Sequence, residues 1–165
     1  MAQTFSFDIV SKIDLEEVLN AVNQTTREMS QRFDFKGTKS TVELNKKERE
    51  IKVVADDDMK RRNILEILNV RLTKRGVSLK GLEYGTPEQT FSGTLTQMIK
   101  VQSGLSTDQC KEVVKIIKTL NLKVKATIQD AQVRVTGSKK DDLQEVMQRL
   151  QAADLPYDFG FDNLR

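Results

Sequence analysis

The chain has 165 residues, 38% hydrophobic and 31% charged, with a net charge of +3, which fits a soluble globular chain holding one compact domain or two small ones. One cysteine and no histidine exclude an internal disulfide framework, a zinc site and the commonest general base. No apolar run approaches the roughly 20 residues that span a bilayer, and MAQTFSFDIV lacks the basic region of a signal peptide, so a cytoplasmic protein with no membrane partner is expected.

FSFDIV, residues 5–10, alternates and is aromatic and β-branched, which predicts a strand. Asp14, with Glu17 three positions on, is an acidic form of the capping box and starts a helix. Leu15, Val18, Leu19 and Val22 follow at helical spacing, with Met29 and Phe33 further along. TVEL (41–44) and EIKVVA (50–55), joined by a polar turn, predict a hairpin. A second helix carries Ile64, Leu65, Leu68 and Leu72 on one face and closes at Lys74-Arg75-Gly76. A strand near 79–84 completes the unit.

The order then repeats. TLTQMIKV (94–101) predicts a strand, and Ser106 with Gln109 starts a helix whose inner face holds Cys110, Val113, Val114 and Ile117. KVKATI (123–128) and QVRVTG (132–137) form a second hairpin. Ser138 is expected to cap a helix carrying Val146, Met147 and Leu150, and YDFGFDNL (157–164) is expected as the last strand. An offset of about 82 residues superposes the halves: Ile51 and Val53 fall on Val133 and Val135. The pattern predicts an α+β chain of two tandem ferredoxin-like βαββαβ domains. Each sheet should have two helices over one face and leave the other open.

FSFDIVS, RFDFKG (32–37), KVVADDD (52–58) and LKVKATIQDAQVRVTGSKKDDLQEVM (122–147) together resemble the YajQ family of bacterial nucleotide-binding proteins, over the whole chain. The resemblance implies tandem domains similar to RNA-recognition folds, with an exchange of first strands. The first domain is then 12–102, including strand 95–101 beside 79–84. The second is 103–165, completed by 4–10 beside 157–164. The resemblance also implies a nucleotide ligand, with nucleic acid or a cyclic dinucleotide attributed to some members.

Charge is unevenly spread. Residues 96–140 hold nine Lys/Arg against three acids, which attracts polyanions. In the second hairpin, Val124, Ala126, Ile128, Val133 and Val135 share one face, expected to meet the helices. The other face then carries Lys123, Lys125 and Arg134 with Thr127 and Thr136, a pattern suited to phosphate. The turn Gly137-Ser138-Lys139-Lys140 adds cations and backbone N–H groups at a helix start. Its counterpart in the first half, Ala55-Asp56-Asp57-Asp58, complements the helix dipole but repels phosphate.

Neither hairpin contains an aromatic residue, so the usual base-stacking platform of RNA-recognition domains is missing. Phe7 or Phe161 could stack a base from the end strands, or belong to the core. In RFDFKG, Phe33 and Phe35 read as a hydrophobic anchor and Lys36 as a possible ligand contact. Lys111, Lys115 and Lys118 form a basic stripe on their helix. No GxxxxGK[ST] occurs, and Cys110 reads as a buried small hydrophobe, so no catalytic residue, metal or cofactor is expected. The leading expectation is a non-enzymatic nucleotide-binding protein that relays binding to a regulatory protein. The alternatives are an RNA- or DNA-binding module reading the phosphate backbone, and a protein-interaction scaffold.

Overall fold

The computed structural model describes residues 3–165. In chain order the elements are β1 (Phe5–Val10), α1 (Leu15–Gln31), β2 (Thr41–Asn45), β3 (Glu50–Ala55), α2 (Asp58–Lys74), β4 (Leu82–Tyr84), β5 (Glu88–Gln89), β6 (Leu95–Val101), α3 (Thr107–Thr119), β7 (Val124–Gln129), β8 (Gln132–Gly137), α4 (Lys140–Ala152) and β9 (Gly160–Asp162). The fold is α+β, with two antiparallel sheets and, among the described residues, four α-helices. The chain divides into a middle unit, Ile13–Gln102, and a second unit that joins residues up to Lys12 to Ser103–Arg165.

The middle unit has sheet order β2-β3-β6-β4, with β5 also pairing to β6. Its core brings Ile51, Val53 and Ile99 from the sheet against Val18 and Val22 of α1 and Ile64 and Leu68 of α2. Asp14 starts α1 by accepting from the Glu16 N–H at 2.9 Å. α2 ends in a Schellman turn: Gly76 takes φ +80°, and the Val77 N–H reaches back to the Leu72 carbonyl at 3.0 Å. The apolar phase of α1 does not run on to Phe33. The chain turns extended at Arg32 and makes a short 3-10 turn over Phe33–Phe35, which buries Phe35 and leaves Phe33 86% exposed. The anchor is therefore Phe35 alone. The strand expected near 79–84 begins as a 3-10 turn at Leu79–Gly81 and pairs only from Leu82.

The second unit has sheet order β7-β8-β1-β9. β1 lies between β8 and β9: Phe7 faces Val135, and Ile9 faces Val133 on one side and Phe161 on the other. This alternation places Phe7, Ile9, Val133 and Val135 on the helix side, where they meet Cys110 and Val113 of α3 and Leu143 and Val146 of α4. The last strand is shorter than expected. Asn163 takes φ +54° and breaks the ladder after Asp162, and Arg165 then rejoins β1 through paired backbone bonds with Ser6.

Phe7 is fully buried at the centre of this core. Phe7→Ala is expected to destabilise the second unit by about 3–5 kcal/mol. Urea unfolding and amide hydrogen exchange along β8 would measure it, and unchanged protection there would contradict this packing.

Candidate functional site

Register defines the outer face of the second sheet. One row runs Lys125, Thr136, Ser6, and the next runs Thr127, Arg134, Asp8, Asp162. Lys123, just before β7, and Lys125 are exposed at one end of this face. Lys125 and Arg134 therefore share a surface, one pleat apart on neighbouring strands.

Arg134 is not a bare cation. Its Nε donates to Asp8 Oδ1 at 2.9 Å and its Nη2 to Asp8 Oδ2 at 3.3 Å. Asn163 Nδ2 donates to the same carboxylate at 2.7 Å. Asp8 is 1% exposed, whereas the Arg134 side chain keeps 41% of its surface open. The Arg134 hydrogen bond holds the Asp8 carboxyl below its ordinary range, outweighing the upward push of desolvation. Reciprocally, Asp8 raises Arg134 further. Two guanidinium nitrogens are thus committed and the plane is fixed, while Nη1 takes no part in these bonds. The positive potential is also trimmed at the β9 end, where Asp162 pairs with Lys12, which holds its carboxyl low. The net effect concentrates positive charge toward Lys123 and Lys125.

The turn into α4 lies at that same end, since Gly137 faces Val124 on β7 and Phe5 on β1. Ser138 does not cap the helix as expected. The N-cap position is Lys139, with no side-chain hydrogen bond, because the helix begins one residue later than the Ser-x-x-Asp spacing implies. The other three helices are capped by side chains, from Asp14, Asp57 and Ser106. Ser138, Lys139 and Lys140 are exposed, and the Lys140 ammonium lies 5.2 Å from the Phe5 ring centroid. Gly137 packs closely, since a Cβ there would lie 3.2 Å from Val124 and 3.4 Å from Leu143 and those side chains would have to give by a few tenths of an ångström. The matching turn of the middle unit is committed internally: Asp57 accepts from the Lys60 N–H at 2.8 Å, and Asp56 from the Lys39 N–H at 2.9 Å.

The structure brings Lys123, Lys125, Ser138, Lys139 and Lys140 to one end of the sheet, with Arg134 inward of them. It removes Phe7 as a stacking residue, because a fully buried ring presents no face to a base. Phe161 sits on the core side, its ring edge-on to Phe7 at 5.5 Å, and is partly buried, with the remainder facing a shallow cleft beside Phe159 and Lys12. Asp8 is the residue that sequence reasoning missed. Its signal was a lone carboxylate in an otherwise uncharged strand. Cys110 is fully buried, and burial pushes its thiol up. Among the described residues no group of three or more His, Cys, Asp or Glu could hold a metal ion, and no helix is long and apolar enough to cross a membrane.

Fold and site together define an α+β chain whose second sheet carries Lys125 and Arg134 on an outer face without aromatic residues. The chain belongs to the family described as "Nucleotide-binding protein YajQ-like", whose model matches residues 5–165. It is 52% identical over 165 residues to a "Nucleotide-binding protein" of Alkaliphilus oremlandii, covering all of both chains. It is 50% identical, again over the whole of both, to one from Desulfitobacterium hafniense. A relative in Trichlorobacter lovleyi is 48% identical over 160 residues, covering 97% of this chain and 98% of its own.

Asp8→Asn removes the charge that holds Arg134 and is expected to destabilise the protein at neutral pH. A carboxyl whose folded pKa is depressed contributes stability above its unfolded value, near 3.8, and loses it as pH falls through the folded value. The stability gap between wild type and variant, read by urea unfolding, should therefore be widest near neutrality and narrow below the ordinary carboxylate range. A gap that does not change with pH would disprove the linkage.

Proposed function

We propose that this chain is a non-enzymatic nucleotide-binding protein whose second unit holds the phosphates of a nucleotide or cyclic dinucleotide. Arg134, held in plane by the buried Asp8 one pleat from exposed Lys125, carries this reading. Nη1 of Arg134 and the Lys123 and Lys125 ammonium groups would contact phosphate oxygens. Ser138, Lys139 and Lys140, with the uncapped N–H groups of α4, would take a second phosphate at the edge. The guanidinium loses little orientational freedom on binding because it is already fixed. The family description and the names of the relatives support the ligand class. The missing histidine and the buried Cys110 support binding without turnover.

The reading takes the chain as two ferredoxin-like domains, 12–102 and 103–165 completed by 4–10, and the protein as cytoplasmic. Ligand binding neutralises part of the basic face and so alters affinity for a regulatory protein. RNA or DNA, held by its backbone, is the second reading. The exposed lysines of α3 and the lack of a stacking ring on the face favour it.

Titration calorimetry with mononucleotides, cyclic dinucleotides and a short single-stranded RNA, at two salt concentrations, separates these readings. Base-selective binding of a small nucleotide with a shallow salt slope is expected. Lys125→Glu should weaken it at least tenfold, and Arg134→Lys should weaken it while keeping one bond to Asp8. Affinity for RNA alone, collapsing in salt, would replace the nucleotide reading with the nucleic-acid one. Nucleotide affinity untouched by Lys125→Glu would move the site elsewhere.

A further inference from the structure

The second unit has another feature that the phosphate face does not use. β7 is the end strand of its sheet, paired with β8 on one side only. Beside it a cleft of about 490 Å³ runs between the end of α3 and β7. Ile117, Leu122, Val124 and Ala126 give it an aliphatic lining, and Lys118 and Lys125 border it. Further along the strand Ile128, on the same face as Val124 and Ala126, is 40% exposed. No acidic residue lines the cleft, and Lys123, Lys115 and Lys111 are exposed nearby in sequence on the same two elements and their junction.

We propose that the open edge of β7 and this cleft dock an extended acidic segment of a partner protein, which adds to the sheet as a further strand. An end strand offers a row of unpaired backbone donors and acceptors that an incoming strand satisfies. Alternate side chains of that strand face the cleft side, where the aliphatic lining receives them. Lysines along an edge disfavour neutral and basic strands and select carboxylates.

Three observations narrow the occupant. The middle unit has a cleft in the matching place, between α1 and β2, of about 340 Å³. It is lined by Thr26, Ser30, Ser40, Thr41 and Glu43 over an apolar floor and has no lysine, so the architecture does not impose the basic border. A second copy of the chain is a poor match. Its β7 and β2 edges both carry lysines, with Lys39, Lys46 and Lys47 flanking β2, which the β7 lysines repel, and its remaining end strands, β4 and β9, span only three residues each. Nucleic acid is a poor match too, because Ile117, Leu122, Val124 and Ala126 line the cleft with aliphatic surface, against which a charged phosphate backbone is costly to desolvate.

The inference stands apart from the nucleotide reading, since it rests on Lys118 and the strand edge. Lys125 borders both sites, so a phosphate bound there would lower the attraction for an acidic strand. That supplies a physical route for the relay.

The test uses the full-length, nitrogen-15-labelled chain and a capped hexapeptide alternating Glu or Asp with Val or Ile. Amide shifts should concentrate on β7 and on the end of α3. Lys118→Glu, at an exposed position outside the phosphate site, should weaken the peptide about tenfold or more, with Lys118→Gln between the two. The same variants should bind nucleotide as the wild type does, so failure of one site is told from failure of the other. A peptide with Lys in place of the acids should not bind. Silent β7 amides at millimolar peptide, affinity unmoved by Lys118→Glu, or stronger shifts of the same amides by single-stranded RNA would each overturn the proposal.

Discussion

Everything in the second unit depends on one pairing: β1, at the start of the chain, hydrogen-bonded between β8 and β9 near its end. Without β1 the remaining hairpin loses Phe7 and Ile9 from its core, and β9 loses the strand it pairs with. The pairing joins segments far apart in the chain, and the contacts of Asp8 with Arg134 and Asn163 span 126 and 155 positions. Such long closure is entropically costly and slow to find. The contiguous middle unit, Ile13–Gln102, lies between the two segments and closes on local contacts of its own. Its folding ties up most of the intervening chain and shortens the effective loop that β1 must close.

The same pairing creates the candidate site. Asp8 reaches Arg134 only because β1 enters the sheet in this register. A carboxylate this buried would be costly unless hydrogen-bonded, and Arg134 and Asn163 supply those bonds. The bonds also fix where the guanidinium points. A residue from the first strand, one from the second hairpin and one from the last turn thus form one polar group. Its exposed part is the arginine edge beside Lys125. Stability and ligand geometry are coupled here, because loosening Asp8 frees Arg134 to move.

Much of the fold was legible in the sequence because alternation and helical spacing are local signals. FSFDIV, the two hairpins, the four helices and the burial of Cys110 follow from them. The shared outer face of Lys125 and Arg134 was legible for the same reason, since parity along a hairpin fixes which side chains share a side. Other features depend on nonlocal contacts. Phe33 has the right spacing for the core, but the helix ends before reaching it. Ser138 has the right chemistry for a cap, but α4 starts one residue too late to use it. Phe7 and Phe161 alternate with polar residues, which left their side undecided until the register against Val135 and Ile9 placed them inward. The Asp8–Arg134 pair was invisible, because its partners lie at opposite ends of the chain.

The repeat itself makes the strongest argument about function. Each unit places two helices on one side of an antiparallel sheet, leaves an end strand beside its first helix, and turns from its hairpin into a helix. Shared architecture accounts for what the copies have in common, so their differences need another cause. At the helix turn, the middle unit has aspartates bound to its own backbone, whereas the second unit has exposed Ser138, Lys139 and Lys140 and no cap. At the cleft, hydroxyls and Glu43 stand against Lys118 and Lys125. Neither difference improves the stability of the second unit: an omitted cap forgoes about 1 kcal/mol, and clustered lysines repel one another. Two unfavourable departures of the same sign, on one unit and near one strand, support the proposal that this surface holds anions.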